Sequence, residues 1–79
     1  MENIATFHTH QGALRFQKKL TRLGVEAALS PVPRKLSASC GICVRFDAGF
    51  DAKWAGEDME AVYSVTGDGF RLIFDNKEA

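Results

Sequence analysis

"NIATFHTHQGALRFQKKLTRLGVEAALS", Asn3 to Ser30, is the stretch whose reading decides the fold. Its first residues, Asn3 to His8, carry Ile4, Thr6 and Phe7 with no breaker, which predicts a strand. Then the period changes. Ala13, Phe16, Leu20 and Leu23 recur at helical spacing, while Arg15, Lys18, Lys19 and Arg22 fall on other faces. Thr9 is placed to cap this helix, and Gly24 to stop it. From Val25 to Ser30 the alternation returns, with Val25, Ala27 and Leu29 on one side. The stretch therefore reads strand, helix, strand.

Working outward, Pro31 and Pro33 end the second strand, because neither can donate to a ladder. "PRKLSAS" connects to a third strand from Gly41, with Ile42, Val44 and Phe46 on the core face and Cys43, Arg45 and Asp47 on the other. In "AGFDAKWAGEDM", Phe50 and Trp54 stand one helical turn apart, which predicts a short second helix bracketed by Gly49 and Gly56. "EAVYSV" is a fourth strand. "TGDG" is a turn, and "FRLIF" closes a hairpin, with Phe70, Leu72 and Phe74 sharing a face. Residues 75–79 read as a frayed tail. The order matches an α+β, ferredoxin-like split βαβ plan, with one antiparallel sheet and helices on one face.

The chain has 79 residues, which predicts a single domain, 1–79. Ten basic and ten acidic residues cancel. That balance argues against a nucleic-acid or membrane-surface partner held mainly by charge. No apolar run approaches the roughly 20 residues of a membrane span. "MENIATFHTH" has no basic start and no long apolar stretch, so a signal peptide is not expected. The expected compartment is the cytoplasm, where thiols stay reduced.

The chemistry concentrates in "PVPRKLSASCGIC", Pro31 to Cys43, which holds both cysteines. In the expected topology the end of strand one, the start of the helix and this loop share one edge of the sheet. His8, His10 and Cys40 would be neighbours there. Cys40, between Ser39 and Gly41 at a loop-to-strand junction, is expected to be accessible. The helix N-terminus and Arg34 would favour its thiolate, the nucleophilic form. Cys43 belongs to the regular strand and reads as a packed or surface thiol.

Two sharper readings compete. Cys-x-x-Cys is the spacing of a dithiol redox pair. In extended chain, however, the two residues stand about 10 Å apart, beyond the roughly 7 Å a disulfide spans. His8, His10, Cys40 and Cys43 are formally a Cys2His2 set. A His-x-His at a strand end sends its two rings to opposite faces, which disfavours a shared metal. No metal and no cofactor is expected. Outside the cysteine chemistry altogether, the Ser-rich loop, Arg34 and the helix N-terminus could form an anion or small-ligand site. The uncovered sheet face or the last hairpin edge could pair two copies of the chain.

The loop "PVPRKLSASCG", with "IATFHT" and "LTRLGV" before it, resembles a family of small bacterial selenium/sulfur (Se/S) carrier-like proteins. Their signature is Pro-x-Pro-Arg followed by Leu-Ser-x-Ser-Cys-Gly. The resemblance covers residues 3–47. It implies a cysteine that carries sulfane sulfur or selenium, a role that falls on Cys40. Arg34, Ser37, Ser39 and Gly41 match its surroundings. It also implies a donor such as a cysteine desulfurase or selenocysteine lyase, and an acceptor protein. Such a protein is a carrier more than a catalyst. Cys43 is not a fixed part of the signature and inherits no role beyond that of a second thiol. The segment after Asp47 departs from the longer, regular second helix such a protein would have.

Overall fold

Thr9 starts the helix as expected. Its backbone is extended, and its hydroxyl accepts the Gly12 N–H at 3.1 Å, satisfying one of the free donors of the first turn. The helix α1 runs His10–Arg22, so His10 is its first residue. Gly24 leaves it with φ +83°, a conformation that only glycine adopts without strain. Gly12, Ala13, Phe16 and Leu20 form its buried stripe.

The computed structural model describes residues 2–76. Five strands form one sheet: β1 (Asn3–Phe7), β2 (Ala27–Pro31), β3 (Ile42–Phe46), β4 (Met59–Thr66) and β5 (Gly69–Asp75). Their spatial order is β2-β3-β1-β4-β5, and every neighbouring pair is antiparallel. β1 is therefore central, between β3 and β4. The architecture is α+β, an antiparallel sheet with α1 packed on one face and a C-terminal hairpin at the far edge.

Three expectations change. The second helix is a single 3-10 turn, Ala52–Trp54, capped by Asp51. Its flanking glycines leave no length for a longer helix, and aromatic packing takes over the cover of the sheet. Phe50 and Trp54 lie 6.1 Å apart edge-to-face, and Phe50 meets Phe74 at 5.1 Å. Secondly, Phe74 does not share a face with Leu72. The register of the last hairpin jumps between Val62↔Phe74 and Tyr63↔Leu72, which inserts Ile73 as a bulge. One extra residue reverses the parity of everything beyond it. Phe74 packs on the core, while Leu72 is 50% exposed. Thirdly, Asp75 belongs to β5, and the Asn76 amide donates to the carbonyls of Gly56 and Met59. Of the expected tail, only 77–79 lie outside the described residues.

The core between α1 and the sheet contains Ala5, Phe7, Phe16, Leu20, Val44, Phe46 and Val62. On the opposite face, Ile4, Thr6, Cys43 and Ala61 are also buried. Among the described residues no helix covers them. They are the central rows of the sheet, and at one end Ser37 of the β2–β3 loop closes round a pocket with Thr6 and Ala61.

Candidate functional site

The loop between β2 and β3 is built as a strap. The Val32 N–H donates to the Gly41 carbonyl at 3.1 Å and closes its neck, and Leu36 N–H turns back to Pro33 O at 3.0 Å. Pro31 and Pro33 stiffen its entry. Across the strap, Ser39 reaches a carboxylate on another strand. Its backbone N–H donates to Glu60 Oε1 at 3.1 Å and its hydroxyl to Glu60 Oε2 at 2.7 Å. The same Oε2 lies 3.3 Å from His8 Nδ1. Glu60 thus ties the end of β1 to the strap.

Glu60 is placed there by a bulge. β1 pairs Thr6 with Ala61 but Phe7 with Met59, so Glu60 is the extra residue of β4. A bulge of this kind re-aims a side chain that regular pleating would commit to one face. Its backbone is held from the far side, where Asn76 N–H donates to Glu60 O at 3.0 Å. Thr6, His8, Ser37, Glu60, Tyr63 and Asn76 surround a pocket of about 300 Å³ at this edge.

Cys40 is buried, with 6% of its surface exposed, and this overturns the expectation of an accessible thiol. Its neighbours Ser39 and Gly41 are exposed, and the chain bends through all three residues with the Cys40 side chain turned inward. Cys43 is wholly buried, and its thiol donates to the Pro31 carbonyl at 3.7 Å. Burial pushes the Cys43 thiol above its ordinary range; the Arg45 guanidinium opposes this and Cys40 adds to it. Both thiols are free.

The expected neighbourhood is realised in part. His8 and Ser39 meet through Glu60, and Ser37 lines the adjoining pocket. His10 is exposed at the start of α1 and makes no contact with them among the described residues. Arg34 is exposed and pairs with no described residue. Gly41 has no atom within 4 Å of where a Cβ would stand, so its contribution is its carbonyl at the neck. Among the described residues no set of three His, Cys, Asp or Glu side chains converges to hold a metal ion.

The helix N-terminus is also engaged elsewhere. The Asp58 carboxylate accepts from Thr9 N–H at 3.1 Å and from the Thr9 hydroxyl at 2.8 Å, while His8 N–H donates to Asp58 O at 2.8 Å. A carboxylate at that position complements the positive end of the helix. A Cβ on Gly12 would lie 1.8 Å from Asp58 Oδ2, so glycine is what admits the carboxylate there. Asp58 is thus the group that the described contacts place at the helix N-terminus, where Cys40 and Arg34 were expected.

Sequence reasoning missed Asp58 and Glu60. "GEDME" shows acids ahead of a strand, but nothing in it says which carboxylate reaches a helix and which a loop.

Residues 2–53, more than half of the chain, match the family model described as "Putative Se/S carrier protein-like". The match includes the strap and both cysteines and ends before Asp58 and Glu60. No curated protein and no solved structure matches the chain. Among the described residues no helix is long and apolar enough to cross a membrane.

Proposed function

This chain belongs to the Se/S carrier protein-like family, and from that premise we propose that it carries sulfur or selenium on Cys40. The observation that supports this best is a free thiol inside the matched segment, in a loop whose neighbouring Ser39 is fastened to the rest of the molecule by one carboxylate. In this reading a donor enzyme, such as a cysteine desulfurase or selenocysteine lyase, presents a persulfide or its selenium analogue. The Cys40 thiolate attacks the outer chalcogen. The donor's bond to that atom breaks, its cysteine leaves as thiolate, and the atom ends bonded to Cys40. No external oxidant is needed, because the oxidation level moves with the transferred atom. An acceptor protein then takes it by the same exchange.

The strap gives this transfer a gate. While Ser39 is bonded to Glu60, Cys40 is covered. When the strap lifts, the thiol is exposed, and the Ser39 N–H and hydroxyl are released beside it. Those two donors suit the outer anionic sulfur or selenium. Ser37 and the pocket next to it lie on the same route. A reducing compartment such as the cytoplasm suits an uncrosslinked carrier thiol.

The test is a donor enzyme and its substrate incubated with the chain, followed by intact-mass measurement. Wild type and Cys43→Ser should each gain one sulfur or selenium, and Cys40→Ser none. No adduct on wild type, or an adduct that survives Cys40→Ser, ends the proposal.

A further inference from the structure

The carrier reading makes no use of α1's outer surface. Arg15, Lys18, Lys19 and Arg22 are spaced i, i+3, i+4, i+7, which sets them on one face of the helix. None has an acidic partner among the described residues, and α1 itself contains no acid. In a chain of zero net charge this is a local concentration of one sign. Basic residues in a last helical turn are favoured by the helix dipole, which accounts for Lys19 and Arg22. It does not account for Arg15 and Lys18. Like charges one turn apart cost a few tenths of a kcal/mol each, so the row has no folding benefit of its own.

Beside that row lies a groove of about 460 Å³. It exists because the 3-10 turn Ala52–Trp54 is too short to cover the sheet as a full helix would. Phe7, Phe16, Trp54 and Met59 supply its apolar lining, and Arg15 and Lys19 stand on its α1 side. Glu57 and Asp58 also line it, and Asp58 is already engaged with Thr9 at the start of α1.

We propose that this groove and the basic row dock an acidic peptide segment of a partner protein through one large apolar side chain. The apolar lining takes the anchor, and the row Arg15, Lys18, Lys19 and Arg22 takes the flanking carboxylates. A phosphate backbone has no anchor to offer the aromatic lining, and a continuous polyanion across the groove would meet Glu57. The surface therefore fits a peptide better than a nucleic acid. It stands apart from the strap and does not depend on Cys40 carrying anything.

Trp54 is the chain's one tryptophan and lines the groove, so it reports occupancy directly. The experiment selects peptides from a random display library on the whole chain, then titrates the best peptide while reading Trp54 emission. Selected sequences should combine Asp and Glu with a Phe, Trp or Leu and shift the emission saturably. Arg15→Glu with Lys19→Glu should weaken binding by about tenfold or more, roughly 1.4 kcal/mol. Replacing the peptide's large apolar residue by alanine should do the same. Cys40→Ser should bind as wild type does, which separates this proposal from the carrier reading. The proposal is overturned by no selection, by acid-free peptides, or by binding that the charge reversal leaves unchanged. An oligonucleotide or a phosphatidylserine vesicle that binds as tightly as the peptide overturns it too.

Discussion

Two cysteines three residues apart lie in regions held together by different means. Cys43 sits inside β3, paired with Ser30 of β2 on one side and with Thr6 of β1 on the other. Exposing it means disturbing a strand laddered on both sides. Cys40 is nearly as buried, yet it belongs to a strap fastened by two hydrogen bonds to Glu60 and one backbone bond at its neck. The lesson is that burial and protection are separate quantities. Burial measures the native state, whereas protection measures the free energy of the smallest opening that exposes a group. A side-chain latch gives way far more cheaply than a strand paired on both sides.

The largest expected effect tests that contrast directly. Under native conditions at neutral pH, an alkylating reagent followed by peptide mass mapping should modify Cys40 at least about 100-fold faster than Cys43. A difference of roughly 3 kcal/mol between local and near-global opening implies this factor. Equal rates would show that strap and sheet open together. The second prediction sharpens the role of the latch. Glu60→Ala removes both bonds to Ser39 and should speed Cys40 alkylation by about tenfold, the weight of two modest hydrogen bonds. Cys43 should be unaffected. If Cys40 does not respond, something other than Glu60 holds the strap.

The smallest effect concerns Cys43 and pH. Burial raises its thiol above the ordinary value of about 8.5. The unfolded chain therefore loses this proton at lower pH than the folded one. Stability is fully held below the unfolded thiol's range and falls as pH rises through it toward the folded value. Denaturant titrations between neutral pH and pH ~10 should show this decline for wild type. It should be shallower for Cys43→Ala, although that variant is less stable at every pH. An equal decline in both would assign the pH dependence to other groups.

How much of this was legible in the sequence depended on whether a residue's neighbours were local. The Thr9 cap, the Gly24 stop, β1 and the stripe of Ala13, Phe16 and Leu20 follow from short-range periodicity and capping and stand where expected, whereas Leu23 is exposed and β2 starts at Ala27 and takes in Pro31, which was expected to end it. Phe74 was placed on the wrong face because a bulge leaves no mark in a pattern of alternating residues. The second helix shrank to one turn because Phe50, Trp54 and Phe74 gain more by packing together than "AGFDAKWAGEDM" gains as a helix. Cys40 read as exposed because its neighbours are small and polar, while its burial goes with the bend that brings Ser39 to Glu60 of β4.

The sequence by itself determined the α+β class, the helix, the strap and the candidate thiol, because each rests on contacts within a few residues along the chain. It also carried the family's signature in residues 31–41. Only the tertiary structure decided what holds that signature in place. Glu60 reaches Ser39 and His8 because β1 and β4 pair out of register by one residue, and Asp58 caps α1 because the chain returns past the helix start. Those contacts join residues tens of positions apart, and a one-residue shift in pairing would undo them. No local pattern encodes such a register, so the thiol could be read from the sequence and its latch could not.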